Sequence, residues 1–293
     1  MLATEREAMT NQQHIELKNR EHTNWSSAAP AWKKYDGATV RALTAVSERM
    51  LAAASIGAGQ RVLDIACGTG EPAIPAAVQV GPTGFVLATD FSEPMLAVAR
   101  EKARERGLAH IEFRRVDGEE VDVGGAFDAA LIRFGIMFMP DALACLKQTY
   151  RALKTGGRIS VATWTAVDRN PWLLLPITAI KRHVEVPAPA PDAPGLFAYA
   201  DPARLRSTLE SAGFVDVRLD EVPITVASFA TPREYFQYIT ELSAPLSALL
   251  AKASSETRAK IEADAIELLT PYVVGGSLAI GGVAWVASGQ RTR

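Results

Sequence analysis

The chain has 293 residues, with 31 basic and 33 acidic side chains and 48% apolar residues. That length suits one large α/β domain with additions or two small ones, and the apolar share can fill a substantial core. A net charge of −2 argues against an electrostatic nucleic-acid binder, which needs a basic face. No apolar run approaches the ~18 residues of a membrane span. Two cysteines, Cys67 and Cys145, make no disulfide framework and point to a reducing compartment. Residues 1–24 are charged throughout and lack a signal-peptide core, so a cytoplasmic protein is expected.

The N-terminal segment carries Trp25, Trp32 and Tyr35, which on a terminal helix serve as packing anchors or as pocket contacts. Short β-like runs at 61–65, 84–90, 111–116, 127–132 and 158–164 then alternate with helical patterns. This alternation implies a mostly parallel sheet with helices on both faces. Helix ends are legible: Ser92 and Asp141 as N-caps, Gly107 as a stop, and Gly156 just past the end of the helix opened by Asp141. After the fifth strand come Asn170 to Leu175, a short helical stretch through His183, and the proline-rich run Val186 to Pro194. The prolines exclude helix and central strand, and the segment is expected to form a lid. Asp201-Pro202 opens another helix, stopped by Gly213. Val215, Val217 and Leu219 alternate with Asp216, Arg218 and Asp220, the period of a half-exposed strand near an edge. Residues 232–242 and 255–269 have helical patterns, and 282–288 is a last strand.

The richest stretch is Val62-Leu63-Asp64-Ile65-Ala66-Cys67-Gly68-Thr69-Gly70-Glu71, an apolar strand that ends in an acidic glycine turn and opens a helix. Gly68 and Gly70 leave no Cβ where a ligand must lie against the backbone, and the helix that follows offers free N–H groups to an anion. Gly68 to Ala73 also fits the dinucleotide fingerprint G-x-G-x-x-A. Asp64 and Glu71 oppose that reading, because they put negative charge where a pyrophosphate would sit. A zwitterionic amino-acid cofactor suits the site better.

The D-x-x-x-G-x-G turn resembles motif I of the class I S-adenosylmethionine (SAM)-dependent methyltransferases. Three further stations are similar to that family: Phe85 to Asp90, Ile111 to Asp117, and Leu153-Lys154-Thr155-Gly156-Gly157-Arg158 with the strand after it. The resemblance is closest to the ubiquinone/menaquinone C-methyltransferase-like small-molecule branch. It implies a Rossmann-like fold with a seven-stranded, mostly parallel sheet, an antiparallel last strand, helices on both faces and helical lid insertions. By the same resemblance, residues 1–45 form a helical cap, 46–165 the SAM-binding core, 166–200 a lid, and 201–293 the rest of the core with a helical insertion at 223–275.

The resemblance also implies site residues. Asp64, Ala66, Gly68, Gly70, Asp90, Phe91, Met95, Asp117, Gly118, Glu119 and Arg133 would hold SAM, with Asp90 on the ribose hydroxyls and Asp117 at the adenine amino group. Trp32, Tyr35, Phe134, Met137, Trp164 and Trp172 would line the acceptor pocket, which favours a hydrophobic or aromatic metabolite. His183, in the expected lid, is the candidate base. No metal site is expected: the fourth strand ends in Arg133-Phe134-Gly135-Ile136, without the acids of catechol-type enzymes. Transfer of the methyl group by in-line displacement, releasing S-adenosylhomocysteine (SAH), is the expected reaction. A non-methylating SAM-dependent cyclisation or decarboxylation, and a dinucleotide-dependent oxidoreductase, are the alternatives. The acceptor, its acceptor atom and the oligomeric state are left open.

Overall fold

The computed structural model describes residues 11–186 and 193–292. Two helices lead the chain, α1 (Asn11–Lys34) and α2 (Asp36–Ala53). In α2 the buried residues Thr39, Ala42, Leu43, Val46, Ser47, Met50 and Leu51 recur at helical spacing, so one face packs on the sheet. The expected boundary between cap and core at 45/46 therefore falls inside a continuous helix whose second half belongs to the core.

The first five strands alternate with helices: β1 (Arg61–Ile65), α3 (Ala73–Val80), β2 (Phe85–Asp90), α4 (Glu93–Glu105), β3 (Ile111–Arg115), β4 (Phe127–Arg133), α5 (Ala142–Ala152) and β5 (Leu153–Trp164). Leu63, Ile65, Val86, Ala88, Leu131 and Ile132 on the central strands are fully or almost fully buried, as expected of parallel strands covered on both faces. Ser92 Oγ accepts from Met95 N, and Asp141 Oδ1 from Ala144 N, so both expected caps form. Gly107 takes φ 67° where α4 stops. Gly156 differs from expectation: α5 already ends at Ala152, and Gly156 lies inside the first, irregular part of β5.

After β5 come α6 (Pro171–Lys181), α7 (Pro202–Ser211), β6 (Val215–Phe229), α8 (Pro232–Leu242), α9 (Ala244–Lys252), α10 (Ser255–Leu269), β7 (Val273–Val274) and β8 (Ser277–Gln290). The sheet order is β3-β2-β1-β4-β5-β8-β6, with β7 pairing only to β8. β1 to β5 are parallel, and β8 runs antiparallel between β5 and β6. The last strand thus inserts beside the fifth, as expected, and β6 is an edge strand. Both final strands are longer than their apolar patterns suggested. In β6 Val222, Ile224 and Val226 stay buried beyond residue 222, so the helical insertion starts after Phe229 rather than at 223. It contains α9, which had no separate expectation.

The segment after β5 is anchored rather than loose. Buried Asn170 donates to Thr165 and Ala166, and its Oδ1 accepts from Trp172 Nε1 and Val283 N. A Cβ on Gly282 would lie 2.6 Å from Trp172 Cδ1, so only glycine lets β8 pass the indole. Pro187, Pro189 and Pro191 of the proline-rich run lie outside the described residues.

Candidate functional site

The carboxyl ends of β1, β2 and β4 open into a cleft of about 660 Å³, the edge where ligands of open α/β sheets bind. The β1 turn shapes its floor. Ala66 (φ 57°) and Gly68 (φ 54°) are both left-handed, and a Cβ on Gly68 would meet nothing within 4 Å. The Gly68 backbone is therefore bare toward the cleft. Gly70, at φ 97°, has a different reason: its Cβ would lie 2.8 Å from Ile74 Cδ1 and 3.3 Å from Ala99 Cβ. It serves helix packing, and it does not line the cleft. Gly135 lets β4 close on this turn, since its Cβ would lie 2.5 Å from that of Ala66.

Asp90, 6% exposed, holds the turn from the next strand. One carboxylate oxygen accepts from Gly68 N at 2.9 Å and the other from Ser92 N at 2.8 Å. Burial pushes its carboxyl up to about 6, against the pull of the backbone N–H groups of Ser92, Gly68 and Phe91. Asp64 lies deeper, fully buried, and neither carboxylate oxygen has a hydrogen-bond partner. Burial first, and then the charges of Glu71 and Asp90, drive its pKa well above the carboxylate range, with Arg133 opposing. Arg133 donates to Ser47 Oγ at 3.1 Å; burial lowers its pKa, while Glu71, Asp64 and Asp36 raise it. Glu71 is itself raised by burial, with Arg133 opposing.

The cleft wall carries five carboxylates (Glu21, Glu71, Asp90, Asp117, Glu119) against three basic side chains (Lys18, Arg115, Arg133), with buried Asp64 behind it. Such a wall disfavours a pyrophosphate and suits a cofactor that brings cationic groups. The bare Gly68 backbone leaves the turn open for SAM to lie against it.

The cleft adjoins an apolar cavity of about 400 Å³ roofed by α8 and α9. Glu21, Trp25, Trp32, Leu43, Phe134 and Phe138 line both spaces and form the neck between them. Phe134 takes φ 56° and stacks on Trp164 with ring centroids 4.2 Å apart. A bulky residue held at positive φ is rare, and here it turns the β4 end into the neck.

Residues 46–172 match the ubiE/COQ5 methyltransferase family. Over these residues, fewer than half of the chain, it is similar to the class I SAM-dependent methyltransferases. Over 103 residues it is 40% identical to the demethylmenaquinone methyltransferase of Listeria welshimeri, covering 35% of this chain and 44% of that relative; it thus spans less than half the length of the curated relative it matches. Among solved structures it is similar to Haemonchus contortus phosphoethanolamine N-methyltransferase 2 in complex with SAM (TM-score 0.51, 19% identity, 85% of this chain and 52% of that one). It is also similar to the [4+2]-cyclase SpnF (TM-score 0.51, 18% identity, 84% of this chain and 80% of that one). At these identities the structures share the fold.

Ala66, Gly68, Asp90, Phe91, Met95, Asp117, Gly118, Glu119 and Arg133 come together on the cleft wall, while Asp64 and Gly70 do not line it. Trp32, Phe134, Met137, Trp164 and Trp172 line the apolar cavity. Tyr35 does not: its ring packs edge-on against Tyr238 at 5.1 Å, as a core anchor. His183 is also elsewhere, with Nε2 3.0 Å from Asp264 on α10. It lines neither the cleft nor the cavity, so its expected place over the pocket is corrected. Asp117 is already engaged: Oδ1 accepts from Glu119 N at 2.9 Å, and Oδ2 lies 2.8 Å from Lys18 Nζ. Sequence reasoning missed Lys18, Glu21 and the α8–α9 roof, because polar residues on a charged N-terminal helix look like a solvated face until α1 is laid across the cleft.

Proposed function

We propose that this protein transfers the methyl group of SAM to a small hydrophobic or aromatic metabolite. The observation that carries this reading is the aromatic neck, which joins a charged cleft suited to the cofactor to an apolar cavity suited to the acceptor. The Gly68 backbone, Asp90 and the turn at Asp117 to Glu119 would hold SAM, and the bound cofactor would supply an electrophilic methyl group on a sulfonium, already a good leaving group.

The chain's own residues then do three things. The acidic wall and the neck rings favour a cationic centre at the mouth of the cavity. Phe134, Trp164 and Trp172 present flat apolar surface to the acceptor, and α8 and α9 keep water out. Alignment of donor and acceptor through the neck can contribute up to about 7–11 kcal/mol in favourable cases. Incubation with methyl-labelled SAM and a small-molecule extract of the host, followed by mass spectrometry, tests this reading. Label in one apolar metabolite is expected, and SAM that binds without any labelled product overturns it.

A further inference from the structure

Among the described residues, Glu21 is the one charged side chain that lines both the cleft and the apolar cavity. It sits on α1 in the neck, with Trp25, Trp32, Phe134 and Phe138 around it. Its side chain is 17% exposed, and its nearest ionic neighbour, the Nε of Arg20, lies 3.5 Å away on a side chain 65% exposed. A pair of that kind is screened and worth little. The other cations of the cleft are engaged elsewhere: Lys18 lies 2.8 Å from both Asp117 and Glu119, Arg115 Nε donates to Phe91 O at 3.1 Å, and Arg133 faces Ser47 and Glu71. Burial raises the Glu21 carboxyl above its ordinary range, with Arg20, Trp25 and Asn24 opposing, which brings a carboxylate closer to the basicity of an acceptor oxygen.

We infer that Glu21 is the catalytic base, and that the acceptor it serves is an aromatic hydroxyl. This rests on reading the cleft and cavity as cofactor and acceptor sites. In the step, the acceptor's O–H bond breaks and its proton passes to a Glu21 carboxylate oxygen. The freed electron pair forms the new O–CH₃ bond, the methyl–sulfur pair returns to sulfur, and the proton later leaves to solvent. An amine acceptor fits less well, because a carboxylate among aromatic faces stabilises an ammonium and keeps it protonated. A hydroxyl enters neutral. The cavity's own polar groups match it, with Tyr238 Oη and Thr39 Oγ1 3.3 Å apart in its wall.

The probe is 2-naphthol, whose excited state gives up its proton to a base within hydrogen-bond reach and then emits as naphtholate. The full chain is saturated with SAH, and the bound probe is excited beyond tryptophan absorption. Naphtholate emission is expected from the unmodified protein. Glu21→Gln should bind the probe and SAH within about threefold of the unmodified protein while naphtholate emission falls about tenfold or more, as loss of the acceptor base requires. Glu21→Asp, which keeps a carboxylate one methylene shorter, should restore part of that emission. Equal naphtholate emission from the unmodified protein and Glu21→Gln, no naphtholate emission from the unmodified protein, or failure of 2-naphthol to bind the SAH-loaded protein each overturns the inference. Failure of SAH to bind at all would instead overturn the cofactor reading beneath it.

Discussion

Gly68 and Gly70 stand two positions apart in one turn, yet their missing Cβ atoms answer to different demands. Alanine at 68 would meet no protein atom but would keep a left-handed backbone, costing roughly 1–2 kcal/mol. Its methyl would project into the cleft. Alanine at 70 would add a 2.8 Å clash with Ile74 to the same kind of strain, about 2–5 kcal/mol together. Calorimetry with SAH titration separates the two: Gly68→Ala should lose about tenfold or more in SAH affinity with a small drop in Tm, whereas Gly70→Ala should lose mainly Tm. Asp90 gives a second residue-scale prediction. Its folded pKa of about 6 lies above the ordinary 3.8, so between those values the fold holds a proton that the unfolded chain has released. Its contribution to the stability of the unliganded fold therefore falls as pH rises through that window and stays low above it. The liganded state has the opposite demand, because ribose hydroxyls would bring further donors, and the ionised carboxylate accepts them beside those of Gly68 and Ser92 better than the protonated acid does. SAH affinity should be level above about pH 7 and weaken as pH drops through 6, and titration calorimetry across that range would show it.

At the scale of elements, α1 is the part that the site itself holds in place. His14 and Lys18 each lie 2.8 Å from Glu119, Lys18 also lies 2.8 Å from Asp117, and Trp32 Nε1 donates to Leu242 O on α8. The carboxylate expected to meet an adenine amino group is thus occupied by a helix that crosses the cleft. Lys18→Ala should loosen this tie without touching the sheet. Hydrogen exchange should rise across residues 11–25, and SAH should associate faster, by about threefold or more, with little change in Tm. Unchanged exchange in α1 would mean that its packing through Ala28, Ala29 and Met95 holds it without the ion pairs.

For the whole molecule, the division of labour is between the parallel half of the sheet, which builds the cleft, and the C-terminal helices, which roof the cavity. Ile239 on α8 is 4% exposed and lines the apolar cavity alone. Ile239→Trp would fill part of that space. Methyl transfer to the acceptor found by labelling should fall at least about tenfold, while SAH affinity, measured in parallel, should stay within about threefold. A matching loss of SAH affinity would show the two spaces to be one site.

Much of the first half was legible because its signals are local. Ser92 and Asp141 cap helices through their own next turn, and the apolar runs of β1, β2 and β4 have the composition that burial on both faces requires. The strand–turn–helix from Val62 to Glu71 and the acid ending β2 are set by short-range backbone demands, so the sequence by itself determined the parallel core and the sheet edge where the cleft opens. Which side chains share a space was decided only in three dimensions. His183 and Tyr35 looked eligible, but contacts with Asp264 and Tyr238 draw them away. Glu21 looked like one charge among many on α1, and Ile239 like an ordinary apolar position on a terminal helix. Their places depend on α1 and α8 meeting over the sheet, contacts between residues some 200 positions apart such as Trp32 with Leu242. No periodicity or capping signal encodes such a meeting, because it is fixed by the burial of surfaces that exist only after each element has formed.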